Sequence, residues 1–405
     1  MESIRELYRI GVGPSSSHTM GPRKAAERFL AANPGAQRFR VTLYESLAAT
    51  GKGHLTDWAV NDVLGSERTE VIWKPDEKLP MHPNGMRFEA LGADDAVIAS
   101  WTVYSVGGGA IREEGQTAGL TAGVYDLPDI TSIMEMCADK GIDYWEYVAR
   151  CEGPEIWDFL REVWGVMTAA IARGLKTQGV LPGSLGLRRQ AWSYYRKTKH
   201  SGPDLQQTGK VTAYALAVAE ENAAGGVIVT APTCGASGIV PAVLHYLKEI
   251  HDDLDDDDIL KALATAALFG NVIKHNGSIS GAEVGCQGEV GSACAMAAAA
   301  AAQLMGGSVR QIEYAAEMGL EHHLGLTCDP VDGLVQIPCI ERNACASTRA
   351  LSRAQMAILS DGFHRITFDE VVAVMKQTGH DLPSLYRETS TGGLAKAYGD
   401  RALKK

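Results

Sequence analysis

Residues 280–291 read Ser-Gly-Ala-Glu-Val-Gly-Cys-Gln-Gly-Glu-Val-Gly, and further on come Gly-Leu-Thr-Cys-Asp-Pro (325–330) and Ile-Pro-Cys-Ile-Glu-Arg-Asn (337–343). Three of the chain's 8 cysteines, Cys286, Cys328 and Cys339, stand here on turns flanked by Gly or Pro. Thiolates that share a metal must converge from different segments, and a Gly or Pro beside each lets backbone approach the sulfur closely. Helix interiors rarely offer that, so the cysteines are expected on loops between helices. A structural zinc site shows cysteines two to four residues apart, as do ferredoxin clusters. These cysteines are separated by 42 and 11 residues, so neither pattern is present. Spacing alone leaves open whether they share a site or are three separate small buried residues.

Around this stretch lies a chain of 405 residues, long enough for two domains that each bury a core. With 45% hydrophobic and 21% charged residues it has the make-up of an ordinary soluble globular protein. A net charge of -11 argues against a nucleic-acid partner, which would ask for a basic excess. Eight cysteines are too few for a disulfide scaffold and fit a reducing compartment, so a cytoplasmic protein is expected. Met1–Tyr8 carries no apolar core of a signal peptide. The most apolar run, Ala293–Met305, is mostly alanine and too short for a bilayer, so it reads as a buried helix and no membrane partner is expected.

From the N-terminus, residues 11–22 form a polar Gly/Pro loop, with Ser15, Ser16, Ser17, His18 and Thr19 together, ahead of a helical pattern over Arg23–Ala31. Small hydroxyls and free N–H groups before a helix suit a phosphate or carboxylate. Strands are expected at Phe39–Ser46, Glu70–Trp73, Met86–Ala90 and Ala96–Tyr104. Between the first two, the Gly-rich turn Ala49–Asp57 carries His54, which as a lone loop histidine is more often a surface group than a catalyst. His82-Pro-Asn84-Gly is a tight turn of Asn-Gly type, as in a hairpin. Residues 1–114 therefore read as a small α+β domain, 115–127 as a linker, and 128–405 as a nearly all-α domain.

In the second domain, helical periodicity runs through Ile130–Lys140, Tyr144–Val148, Glu155–Arg173 and Thr212–Ala223. Residues 176–210 suggest an exposed excursion. Val227–Gly238 passes from an apolar run into a Gly turn that can present N–H groups to an anion. The acidic run Asp252–Asp258 lacks the alternating order of a calcium loop and reads as the solvated start of a helix over Ile259–Ile273. Capping boxes open helices at Ser308 and Thr367, the latter helix closed by Gly379.

The three cysteine strings resemble those of the iron–sulfur-dependent L-serine dehydratases, and the match extends from Gly11 to about Gly393. The resemblance implies that Cys286, Cys328 and Cys339 hold a [4Fe-4S] cluster with one iron not ligated by cysteine. Gly13-Pro-Ser-Ser-Ser-His-Thr19 is similar to the family's loop for the substrate carboxylate, which implies Ser15, Ser16, Ser17 and Thr19 as substrate contacts and His18 as a second catalytic candidate. Thr50-Gly-Lys-Gly-His54 resembles the segment whose histidine is the family's leading acid/base candidate. His82, Asn84, Thr233 and Ser237 stand in strings similar to further site segments, whereas Cys234 has no counterpart as a ligand.

What the resemblance implies for activity is loss of water from L-serine to give pyruvate and ammonia, with a small amino acid as substrate and a homodimer as the assembly. Pyridoxal phosphate would need a Schiff-base lysine, and nothing in the sequence identifies one, so that cofactor is not expected. Two alternatives stay open: the same elimination on L-threonine or L-cysteine, or a non-catalytic sensor of an amino acid and oxygen. Some family members end in a cysteine that reaches the fourth iron, while this sequence closes on Arg401-Ala-Leu-Lys-Lys405 with Cys345 its last cysteine. Water or a small anion is therefore expected on that iron at rest.

Overall fold

The computed structural model describes residues 1–113 and 123–402, so the first part of the expected linker, 115–122, lies outside the described residues. Its strands are β1 (Ile10–Val12), β2 (Arg38–Tyr44), β3 (Thr69–Lys74), β4 (Gly85–Leu91), β5 (Val97–Ser105), β6 (Ile111–Glu113) and β7 (Val227–Val229). Strands β2 to β6 form one sheet in the order β3-β2-β4-β5-β6, with β2 and β3 parallel and the other pairs antiparallel. Alternation along β2 turns Phe39, Val41 and Leu43 inward, where they meet Met86, Phe88 and Val103 from neighbouring strands. Helices Gly21–Ala32 and Thr56–Leu64 close this core with Ala25, Phe29, Val60 and Leu64. The Asn-Gly turn at 84–85 is not a hairpin, because β2 lies between β3 and β4. It leads into β4 instead, with the Asn84 carbonyl accepting from the Ser105 N–H at 3.0 Å.

The rest is helical. Ser292–Leu304 forms the axis, and every residue from Ser292 to Ala302 is buried. Its alanines leave only methyl groups on the surface, so helices Ile239–Ile250, Asp256–Asn276, Val309–Glu321 and Cys339–Ile358 pack directly around it. Local signals set several helix ends. Asp129 caps Ile130–Lys140 by accepting from the Ser132 N–H at 2.8 Å, and Gly141 closes it at φ 62°. Asp255 and Asp258 cap Asp256–Asn276 reciprocally, so the acidic run is a helix start.

Two expectations need correction. Residues 176–210 are largely exposed, as expected, but they hold the helix Ala191–Thr198 and the first turns of Pro203–Ala223, which begins well before Thr212. Pro203 starts the second helix, and the Glu220 carboxylate holds the first N–H groups of the other, accepting from Gln190 N at 2.6 Å. Gly379 does not end its helix, which runs Phe368–Asp381. A Cβ there would sit 2.5 Å from Val284, so the glycine serves close packing instead.

The first residues of the chain pack with the helical body, where Met1, Ile4, Leu7 and Tyr8 join its core. Strand β1 pairs antiparallel with β7, Ile10 opposite Val229. The chain thus leaves the body at Val12 and enters the 13–20 loop already anchored against it.

Candidate active site

Cys286, Cys328 and Cys339 are each fixed by hydrogen bonds around them. Cys286 follows the short helix Gly281–Val284, and the next residue, Gln287, ties that turn to its surroundings through its amide. The Gln287 Oε1 accepts from Gly325 N at 2.9 Å, and Nε2 donates to the Val284 and Met375 carbonyls. Cys328 is clamped to the C-terminal segment: its N–H donates to the Tyr386 carbonyl and its carbonyl accepts from Glu388 N, both at 2.8 Å. Cys339 is the first residue of helix Cys339–Ile358, where the helix N-terminus favours a thiolate. Asn343, one turn on, accepts from Gly238 N and donates to the Gly235 and Cys339 carbonyls, which pins the 233–238 turn to the Cys339 helix.

These segments surround one buried cavity lined by Pro14, Ser15, His54, Gly235, Cys286, Glu289, Val290, Cys328, Pro330, Val335, Cys339 and Glu388. The Cys286 and Cys328 sulfurs stand 3.8 and 4.0 Å from the Glu289 carboxylate. Contact with the Cys286 thiol, then burial, pushes the Cys328 pKa well above its usual range, and burial, then Cys286, does so for Cys339. Arg342 lies among these sulfurs. Burial pulls its pKa down, but Cys286, Cys339 and Cys328 outweigh that and leave it raised.

The opposite side comes from the small domain. The His54 side chain is buried, with Nδ1 3.1 Å from the Thr50 carbonyl. A carbonyl only accepts, so Nδ1 carries the proton and Nε2 keeps its lone pair. Burial lowers the His54 pKa to about 4. His18 packs beside it, ring centroids 4.6 Å apart, with Nε2 directed to the Ser46 carbonyl at 3.2 Å and Nδ1 to the Ser17 hydroxyl at 2.9 Å. Burial and then His54 hold His18 well below the usual histidine range. The two histidines are tied together by hydroxyls, since Thr19 Oγ1 donates to the His54 carbonyl and Thr56 Oγ1 to the His18 carbonyl, both at 2.6 Å. Gly53 lets the His54 turn approach the helical body closely, because a Cβ there would lie 2.5 Å from the Gly333 carbonyl oxygen.

The residues singled out by sequence fall into sets. Cys286, Cys328, Cys339, His54 and Ser15 line the cavity itself. Ser16, Ser17, His18 and Thr19 are buried just behind, and the Ser15 hydroxyl accepts from His18 N at 3.1 Å. Thr233 and Ser237 are buried; the Thr233 hydroxyl lies beside the Glu289 carboxylate, and the Ser237 hydroxyl has no hydrogen-bond partner among the described residues. The same holds for both side-chain atoms of Asn84 and for Nε2 of His82, whose Nδ1 accepts from Asn84 N at 3.1 Å. Cys234 points elsewhere, its thiol 3.3 Å from Met20 Sδ. Two cavity residues escaped the sequence reading, Glu289 and Glu388. Glu289 stands within the quoted motif and was open to notice, whereas Glu388 lies in the plain string Arg-Glu-Thr-Ser-Thr with no local mark.

The donor set can be tested against the implied iron–sulfur cluster. Three thiols in one buried cavity oppose each other's ionisation, so they become thiolates together only around a cation. Soft sulfur donors select iron–sulfur or zinc over magnesium or calcium, and a neighbouring guanidinium offsets net negative charge. The residues present fit such a group.

A sheet domain that turns buried histidines toward convergent cysteines of a helical body has the make-up of an enzyme for a small polar molecule. Residues 90–395 match the family described as serine dehydratase alpha chain, and residues 3–67 and 61–116 match the serine dehydratase beta chain. An L-serine dehydratase of Streptomyces coelicolor is 42% identical over 448 aligned positions, covering 97% of this chain and 98% of that protein. L-serine dehydratase 1 of Escherichia coli is also 42% identical, with 98% and 99% covered, and the Helicobacter pylori L-serine dehydratase is 37% identical, with 97% and 98% covered. The chain belongs to the serine dehydratase family, with the alpha-type and beta-type parts joined in one polypeptide. No helix among the described residues is long and apolar enough to cross a membrane.

Proposed function

We propose that this protein is an L-serine dehydratase, which eliminates water from L-serine and yields pyruvate and ammonia. The observation that carries the reading is one buried cavity lined by Cys286, Cys328 and Cys339 from the helical body and by His54 from the small domain. We assign the three cysteines as ligands of a [4Fe-4S] cluster whose fourth iron has no cysteine of the set. When bound, that cluster supplies a Lewis acid for the hydroxyl, the poor leaving group of the reaction.

The proton at Cα is the work of the chain itself. Thr50 holds the Nδ1–H of His54, so the Nε2 lone pair is the base, and burial keeps the ring neutral and ready to accept. His18 backs His54 and orders residues 15–19, of which Ser15, the one lining the cavity, receives the substrate carboxylate, while the Ser17 and Thr19 hydroxyls are engaged within the protein. His82, Asn84 and Ser237, with polar atoms lacking protein partners, are assigned as further substrate contacts, and Thr233 joins them from beside the Glu289 carboxylate. Once hydroxide and the Cα proton have left, 2-aminoacrylate tautomerises to the imine, and water releases ammonia from it to leave pyruvate. The reading includes a cytoplasmic homodimer, supported by the family resemblance. The test is anaerobic purification with iron and sulfide quantitation, then a pyruvate assay on L-serine. Iron-loaded protein that makes no pyruvate from L-serine would overturn it, and sedimentation measures the assembly.

A further inference from the structure

The assignments above give partners to the hydroxyl, the carboxylate and the Cα proton of serine, but none to its α-ammonium group. We infer that the Glu388 carboxylate is the acceptor for that ammonium, a role that rests on the proposed activity and names the feature that makes the site select amino acids.

Geometry narrows the choice. The ammonium nitrogen is bonded to Cα, and the Cα proton must reach Nε2 of His54, so the acceptor has to lie close to that atom. Glu388 Oε1 is 3.9 Å from His54 Nε2 and 3.5 Å from His18 Nδ1. The other lining carboxylate, Glu289, is turned to the sulfurs of Cys286 and Cys328. His18 has both ring nitrogens engaged, and His54 has only the base position left. Glu388 is 4% exposed; the Ala282 backbone N–H lies beside its carboxylate, and Oε2 meets no side-chain donor among the described residues. Its neighbours within ion-pair distance are two histidines that burial holds neutral. A buried carboxylate without a counter-cation is costly, and an arriving ammonium supplies one.

The backbone is built to present this side chain. Glu388 adopts φ 59°, a conformation unusual for a non-glycine residue. It is held there from both walls of the cavity: its N–H donates to the Cys328 carbonyl at 2.8 Å, and its carbonyl accepts from the Ser46 hydroxyl at 2.9 Å.

The experiment compares ligands with and without an ammonium on anaerobic, cluster-bearing protein. Glycine and glycolate differ there only in that group for this purpose, and both lack the leaving hydroxyl of serine at Cβ. Glu388→Gln should weaken glycine binding about 10- to 100-fold, as expected for a lost charge-assisted hydrogen bond, while glycolate binding stays within about twofold. Glu388→Asp should fall between. Equal weakening of both ligands, or an unchanged preference, would overturn the inference and make Glu388 a positioning residue for His54. If wild-type protein neither binds nor dehydrates L-serine, the proposed activity fails instead. Should Glu388→Gln not fold or hold its cluster, the wild-type glycine complex decides. Ammonium within hydrogen-bond distance of Glu388 supports the inference, and ammonium held elsewhere overturns it.

Discussion

The two walls of the cavity are built on different plans. On the helical side Cys286 and Cys328 sit on short turns, whereas Cys339, expected on a loop, opens a long helix, and Asn343 and Gln287 lock these segments by side-chain bonds to backbone. On the small-domain side His18 sits in the wide helical turn Ser16–Met20 and His54 on the turn before helix Thr56–Leu64, and the two segments hold one another, hydroxyl to carbonyl, through Thr19 and Thr56. The first plan fixes where sulfurs stand. The second fixes which ring nitrogen carries a proton. A site made this way separates holding the cofactor from moving the proton, so substitutions on the two walls should fail differently.

The largest expected effect tests that separation directly. Cys286→Ser, Cys328→Ser or Cys339→Ser should abolish both cluster absorbance and pyruvate formation, whereas Cys345→Ala, at an exposed position, should change neither. Wild-type absorbance in Cys328→Ser protein would remove Cys328 from the ligand set. Next comes the other wall. His54→Ala should retain the iron and sulfide of wild type and lose about 10²-fold or more in kcat. If iron content fell in parallel, the walls would not be independent.

How far the sequence reveals each wall follows from the same contrast. The Asp129 cap and Gly141 stop that bound Ile130–Lys140 are legible in the string itself, whereas Gly and Pro beside the cysteines only mark them as candidates, and the family resemblance is what joins them in one site. His54 carries no such mark, and only the resemblance of Thr50–His54 to a family segment raised it above a surface histidine. Glu388 was not legible at all, because its place depends on a long-range pairing of residues 386–388 with Cys328. The same limit explains the 84–85 turn. Asn-Gly announces a tight turn, but which strands flank it is decided by the parallel pairing of β2 with β3. Gly379 likewise signals a helix stop in sequence, while the close approach of Val284 gives it another use.

A smaller effect concerns pH and belongs to the histidine wall. The base form of His54 is neutral, and its pKa in the folded protein is lowered by burial from 6.5 to about 4. Protonation therefore removes activity as pH falls through the lower value, and the acid limb of kcat/KM should lie well below that of an exposed histidine. At pH 5 an exposed base would retain only about 3% of its neutral form, against about 90% for His54. The measurement is a pyruvate rate profile between pH 8 and pH 5 at constant cluster content, pH values chosen to span roughly the ordinary histidine range. An acid limb near 6.5 would mean that His54 is solvated in the working enzyme or is not the base.

The smallest effect probes the helical wall without touching a ligand. Asn343 is 1% exposed, and its amide makes three hydrogen bonds that join the 233–238 turn to the Cys339 helix. Asn343→Ala removes the Asn343 partner of the buried Gly238 N–H and of the half-buried Gly235 carbonyl, and a buried unsatisfied group costs about 1–3 kcal/mol. The site can relax or admit water, so a total of about 2–3 kcal/mol is expected, seen as a lower denaturant midpoint at unchanged slope. Because the lost bonds orient the turn that carries Thr233 and the first turn of the Cys339 helix, the variant should also release iron faster under air. Its acid limb should stay where the wild-type limb lies, since nothing around His54 has changed. A displaced acid limb in Asn343→Ala would show that the two walls share one mechanical unit, and the division of labour between them would have to be abandoned.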